Sequence, residues 1–262
     1  MNTDRLAVQM YTVREHTKTH EDLMAALTRI SEIGYKAVQI SAVGAMAGDS
    51  PAVTAKQARK LLDERGLACI ATHRDWDHIA SETNAEIDFH RELGCSFVAI
   101  GSLPGRYRND GADGYRRFVD DAMPAIAQLK SEGIVFGYHN HAHEFQRIGG
   151  SGGCLYDIFV NASNDLALEV DVYWAAHAGL NPERLMERLK GRVPVIHVKD
   201  REVVQEGPVM APIGEGNLDW THLIPCCMEA GVEWFAVEQD EYRRDPFDCL
   251  NASFNYLKEL PV

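Results

Sequence analysis

Basic charge is in short supply in this 262-residue chain: 26 Lys and Arg stand against 39 Asp and Glu, a formal charge of −13. A nucleic-acid binder needs a basic face, because counterion release from phosphates supplies much of its affinity. No nucleic-acid partner is therefore expected, and anionic membranes are disfavoured on the same ground. Long apolar runs are missing too. None reaches the roughly 18 residues that span a bilayer. The first residues, Met1 to Leu6, offer neither a charged n-region nor an apolar h-region, so no signal peptide is expected. The six cysteines, Cys69, Cys95, Cys154, Cys226, Cys227 and Cys249, form no CxxC pair. Scattered thiols in a large chain without a leader read as reduced and packed, with the Cys226-Cys227 pair structural. The expected compartment is the cytoplasm. A glycine-rich dinucleotide fingerprint is absent from the first turn, where Tyr11-Thr12-Val13-Arg14-Glu15 follows the first strand.

What is present is an alternation. Apolar runs at Leu6–Arg14, Tyr35–Ile40, Leu67–His73, Phe97–Gly101, Ile134–His141, Leu166–Trp174, Val193–Asp200 and Trp234–Asp240 read as parallel strands covered on both faces. They recur about once per 33 residues, the length of a βα unit. Helix signals fill the gaps. Thr19-x-x-Asp22 and Thr54-x-x-Gln57 have capping-box spacing, and Gly34 and Gly66 close the helices they open. A third helix is expected from Ser81 to Gly94. A fourth runs from about Asp113 to Gly133, with a kink or a new start at Pro124. Asn181-Pro182 and Asp245-Pro246 are N-cap and N1 pairs, and Asp219 caps the seventh helix. Eight strands and eight helices without a linker predict one domain over residues 1–262, a single (β/α)8 TIM barrel. A doubly wound open sheet is the alternative. The run Gly149 to Gly153 is read as a flexible connection, since no Lys-Ser/Thr follows it as in a phosphate cradle.

A barrel carries its chemistry at the carboxyl ends of its strands. Ionisable residues gather there on the last four: His139, Asn140, His141 and nearby Glu144; Glu169 and Asp171; His197, Lys199 and Asp200; Glu238 and Asp240. Converging carboxylates repel one another unless paired or metal-bound. One divalent ion relieves that repulsion, and mixed His/Asp/Glu ligation suits Mn, Co, Zn or Mg. Glu169 shares a strand face with Asp171, but lies deeper and has an ion pair inside the barrel as its other reading. Trp174, Tyr138 and Tyr173 read equally as pocket walls or core. Lys199 holds an oxyanion or pairs with Asp200. His16, His20, His78, His90, His177 and His222 are assigned to solvent.

The segment Tyr138-His139-Asn140-His141-Ala142-His143-Glu144-Phe145 resembles the YHNHxxEF signature of the sugar phosphate isomerase/epimerase family, the xylose isomerase-like TIM barrels. Gln9 to Arg14, Asp171 to Trp174 with Ala178-Gly179, His197 to Asp200, Gly214 to Trp220 and Val237 to Asp240 follow in the family's order. The resemblance implies one divalent metal ion held by Asp171, His197, Glu238 and a strand-five ligand. Either His139 fills that last place or Glu144 reaches back from the loop, and Glu144 is preferred because a second carboxylate also serves the chemistry. The implied reaction is metal-assisted proton transfer beside the carbonyl of a keto sugar, by an isomerase or epimerase. The alternatives are a lyase or dehydratase acting on an inosose or keto-glycoside, and a non-catalytic sugar-binding barrel. Glu238 and Glu144 are the expected acid/base pair, with His141 as a substitute. Gln9, His73, His139, Trp174 and Lys199 are expected to bind substrate, and Arg14 a hydroxyl. The scarcity of Lys and Arg at the strand ends favours an unphosphorylated sugar. The oligomeric state is left open, a homo-oligomer included.

Overall fold

The computed structural model describes residues 1–150 and 152–261. Eight parallel strands close a barrel: β1 Leu6–Gln9, β2 Ala37–Ile40, β3 Ala68–His73, β4 Phe97–Ile100, β5 Val135–His139, β6 Leu166–Asp171, β7 Val195–Val198 and, after a hairpin, β10 Trp234–Val237. β1 hydrogen-bonds to both β2 and β10, which completes the ring. The hairpin, β8 Asp200–Val204 with β9 Gly207–Ala211, stands outside it in the long connection after β7. The closed α/β barrel is the expected architecture. The open sheet is excluded by the closure.

Successive side chains of a strand point to opposite faces, and here the inward face is built in tiers. Leu6, Val8, Val38, Val98, Leu168, Ile196 and Phe235 point outward into the main core beneath the helices. Ala7, Ala37, Ile70, Ala71, Phe97, Ala99, Ala167, Val195 and Ala236 form a second apolar cluster inside the barrel. Gly137 belongs with them, because a Cβ there would stand 2.5 Å from the Phe97 ring. Two residues beyond these small side chains come Gln9, Gln39, His73, His139, Glu169, His197 and Glu238. A tier of alanine and glycine thus carries a tier of polar groups.

The helix caps act as the sequence predicts. Thr19 and Asp22 form a reciprocal capping box on His20–Ile33, and Gly34 ends that helix in a left-handed conformation, φ 119°. Thr54 and Gln57 do the same for Ala55–Asp63. Asn181 and Asp245 cap helices with proline at the first turn, and Asp219 caps Trp220–Glu229, which holds Cys226 and Cys227. The expected third helix is Thr83–Leu93, ended by Gly94, and a further short helix that was not expected, Trp76–Ser81 capped by Asp75, precedes it. Pro124 neither breaks nor restarts Gly111–Ser131, which is one helix. Ile148 donates to the Gly153 carbonyl across the glycine-rich run; Ser151 lies outside the described residues.

His90 corrects the sequence reading. It is fully buried, with Nε2 2.7 Å from Thr72 Oγ1 and Nδ1 2.7 Å from the Glu86 carbonyl. Position on a helix made it look solvated, but it is on the face turned to β3.

Candidate metal centre

The polar tier forms the floor of a cavity of about 560 Å³ at the carboxyl end of the barrel, lined by Tyr11, Ser41, His73, Arg108, His139, His141, His143, Trp174, Lys199, Glu238 and Asp240 among others. Asp171 leaves β6 and caps the helix Val172–His177, its Oδ1 accepting from the Trp174 N–H at 3.1 Å. Asn140 pins it further: its Oδ1 accepts from the Asp171 N–H at 3.1 Å. Asp171 Oδ2 is thereby left to face His197 and Glu238. Ligand atoms of these three lie within 4.8 Å of one another, and all three residues are buried. Asp171 Oδ2, His197 Nδ1 and Glu238 Oε2 are buried and make no aligned hydrogen bond, although Nδ1 lies 2.8 Å from Glu238 Oε2 and the Lys199 ammonium 2.8 Å from both carboxylate oxygens. Two carboxylate oxygens and one imidazole nitrogen converging in this way form a donor set that suits a divalent cation.

His197 is oriented from behind. Its Nε2 lies 2.8 Å from Gln39 Oε1, while Gln39 Nε2 donates to Glu169 Oε1 at 2.8 Å. Because that amide oxygen only accepts, the Nε2 position carries a proton, and Nδ1 faces the carboxylates, where a metal ion would displace its proton. Glu169 Oε2 meets His73 Nε2 at 2.5 Å, and Ser41 Oγ lies 3.4 Å from His73 Nδ1. The His73 ring fits because residue 101 is glycine; a Cβ there would stand 3.0 Å from Nδ1. Glu169 is thus the buried ion pair that was one of its two readings. Burial opposes its charge, but His197 and His73 hold it down to about 2.

Lys199 is buried in the same cluster. Its ammonium lies 2.8 Å from Asp171 Oδ2 and from Glu238 Oε2, and donates to both Asp240 oxygens at 3.0 Å. It does not pair with Asp200. That carboxylate instead accepts from the N–H groups of Gly214, Gly216 and Leu218 and from Trp220 Nε1, tying down the loop that follows the hairpin. Burial alone would lower Lys199, yet Asp171, Glu238 and Asp240 raise it well above the ordinary lysine value. Burial likewise opposes the His197 cation, and Glu169 and Glu238 lift it to about 10. Glu238 is held far below the carboxylate range by Lys199 and His197 against its burial. Asp240, a strand-end residue to which the sequence reading gave no role, is pushed up to about 7 by burial and then by the Glu238 charge. Three carboxylates, Asp171, Glu238 and Asp240, therefore meet one lysine, while Glu169 is paired with His73 and His197.

The β5 residues divide. His139 Nδ1 is buried and unpartnered, 3.6 Å from Glu169 Oε2, and its ring centroid is 4.4 Å from that of His197. Burial pulls its pKa well down. Glu144 does not group with Asp171, His197 and Glu238. Its Oε1 accepts from Tyr138 Oη at 2.7 Å and its Oε2 from the His141 N–H at 2.8 Å. Tyr138 is core, stacked on Phe159 at 3.9 Å between centroids. Trp174 and His141 line the cavity with rings 5.5 Å apart, whereas Tyr173 is buried behind Trp174. Gln9 is buried, its Oε1 3.2 Å from the Tyr11 N–H. Arg14 donates to the Asp240 carbonyl and stacks on Tyr11. Gln39 had no role in the sequence reading, and Glu169 and Asp240 stood there among the strand-end residues without a ligand or substrate role. Their signal was the period of two from Ala37, Ala167 and Glu238.

A closed (β/α)8 barrel with an acid-and-imidazole cluster at its carboxyl mouth is the class that these features define. Residues 27–260 match the model of the xylose isomerase-like TIM barrel family, and the chain belongs to that family. No curated protein matches it. A sugar phosphate isomerase/epimerase from Parabacteroides distasonis ATCC 8503 superposes with a TM-score of 0.81 at 23% identity, covering 100% of this chain and 96% of the other. An L-ribulose 3-epimerase gives 0.71 at 14% identity, covering 97% and 93%. The IolI protein with a bound zinc atom gives 0.65 at 15% identity, covering 98% and 97%. At these identities the likeness is one of fold. No helix among the described residues is long and apolar enough to cross a membrane.

Proposed function

We propose that this protein is a divalent-metal-dependent isomerase or epimerase of a keto sugar or related polyol, working by proton transfer beside a carbonyl. One observation carries the reading: Asp171 Oδ2, His197 Nδ1 and Glu238 Oε2 converge, buried, within 4.8 Å of one another on the cavity floor. These three would hold the ion; of the strand-five candidates, His139 lies against His197 and Glu169, and Glu144 is held by Tyr138 and the His141 N–H. The ion, when bound, supplies Lewis-acid stabilisation of the oxyanion that develops as the C–H beside a carbonyl loses its proton. The chain supplies the rest. Glu238, kept ionised by Lys199 and His197, accepts the proton. Lys199 directs positive charge at the developing oxyanion. His141, whose ring lines the cavity, donates a hydrogen bond from the β5 wall, and Trp174 offers a flat apolar face to the sugar. Return of the proton to the other face of the same carbon gives epimerisation; return to the neighbouring carbon gives isomerisation.

The test is solvent exchange. Metal-loaded protein incubated in D2O with a panel of keto sugars and an inosose should place deuterium on the carbon next to the carbonyl of its substrate. Absence of exchange across the panel, with sugar still bound, would leave the non-catalytic sugar-binding barrel. Glu238→Gln should lower turnover by about 10²–10⁴-fold, the usual contribution of a positioned acid or base, while sugar binding persists in calorimetry.

A further inference from the structure

The loop after β5 holds a second group of ligand-type atoms that the centre above leaves unused. His141, His143 and Glu144 each offer one within 4.8 Å of the others. His141 Nδ1 and His143 Nε2 are buried atoms without a hydrogen-bond partner, although both rings border the open cavity. The rings lie nearly parallel, 20° apart, with centroids at 5.8 Å. Glu144 is fully buried, and its carboxylate is fixed by Tyr138 Oη and the His141 N–H. Each of those hydrogen bonds uses one of the lone pairs that a carboxylate offers, and lone pairs remain on both oxygens. Oε1 is also 3.1 Å from His143 Nε2, close but without the alignment of a hydrogen bond. Outer partners that lock a carboxylate while leaving a lone pair free are the usual support of a metal ligand.

We propose that His141 Nδ1, His143 Nε2 and Glu144 bind a second divalent cation, of the zinc or cobalt type, on the β5 wall of the cavity. Two imidazoles and one carboxylate suit borderline ions better than Mg²⁺, which prefers oxygen. Three protein ligands beside an open cavity leave a coordination position for water or a substrate oxygen, as in catalytic rather than structural zinc sites. Coordination through Nδ1 also fixes the proton of His141 on Nε2, the donor that the proposed reaction requires of it. The inference therefore rests on that reading for its purpose, and on the geometry of the loop for its existence.

The two centres separate experimentally. Tag-free protein stripped with chelator is dialysed against Zn²⁺, and bound zinc is counted by mass spectrometry for the wild type, His143→Gln, Asp171→Asn and the double variant. The expected counts are two ions, one, one and none. His143 is partly exposed, so its variant should keep the fold, and circular dichroism checks this. His141→Ala is the second variant, with the same expected count of one. A single zinc ion that Asp171→Asn removes and His143→Gln keeps would overturn the second site and leave the proposed function standing. A single ion with the reverse dependence would support the second site and remove the principal centre. No bound zinc in the wild type would overturn both.

Discussion

Gln39 joins the carboxylate Glu169 to the imidazole of His197, and the whole orientation of the centre passes through its amide. Replacing it with alanine frees the His197 ring to turn and removes the group that holds its tautomer. Outer partners of this kind contribute about 10–100-fold to metal affinity. Gln39→Ala should weaken zinc binding at the Asp171 centre by about that factor, read by calorimetric titration, with the far-ultraviolet dichroism unchanged. His90 makes a prediction about stability. Burial lowers its pKa from 6.5, against the pull of Glu86; Arg74, packed on the same carboxylate, adds to the lowering. The unfolded chain then binds the proton more readily than the native one. The contribution is whole above about pH 6.5 and is lost as the pH falls towards the native value. The stability gap between wild type and His90→Gln in urea unfolding should therefore narrow from pH 7 to pH 5. Sequence placed Asp171, His197 and Glu238 correctly at three strand ends, because each motif carries its own strand register. It did not give the tie between Glu144 and Tyr138, six residues apart, since only the bend after β5 brings the two side chains together.

At the scale of elements, the strand ends were the least legible part. Met10 to Arg14 and Val172 to Trp174 are rich in β-branched and aromatic residues and read as strand, yet the first is a 3-10 helix and the second the start of Val172–His177. In both, the last inward polar residue caps the new helix, Gln9 through the Tyr11 N–H and Asp171 through the Trp174 N–H. A local side-chain cap there outweighs strand propensity, which is weak and context-dependent. The same residues thus serve both turn and site. Val193 to Asp200 reads as one strand, whereas β7 ends at Val198 and Asp200 opens the hairpin of β8 and β9. Remote caps offer a simpler measurement. Thr19→Ala removes half of a capping box far from the cavity and should cost about 1 kcal/mol in denaturant midpoints. Metal binding should not change.

For the whole molecule, closure of the barrel was legible because eight buried strands at a regular interval leave few other ways to satisfy their edges. The interior was less so. Phe97 is the large side chain in a tier otherwise made mostly of alanine, and Gly137 is small because that ring occupies its space. Phe97→Ala should open a void at the barrel axis and cost about 3–5 kcal/mol, measured by equilibrium unfolding. Gly137→Ala should cost about 1–3 kcal/mol by overpacking.

That tier of small side chains also bears on how such a protein changes over time. It separates the reactive residues above from the apolar foundations below, so a gene library randomised at positions 11, 102 and 174, which line the cavity without holding Glu169, should return mostly folded barrels. New specificities are then reachable by exchanging the roof of the shaft without relaying its walls.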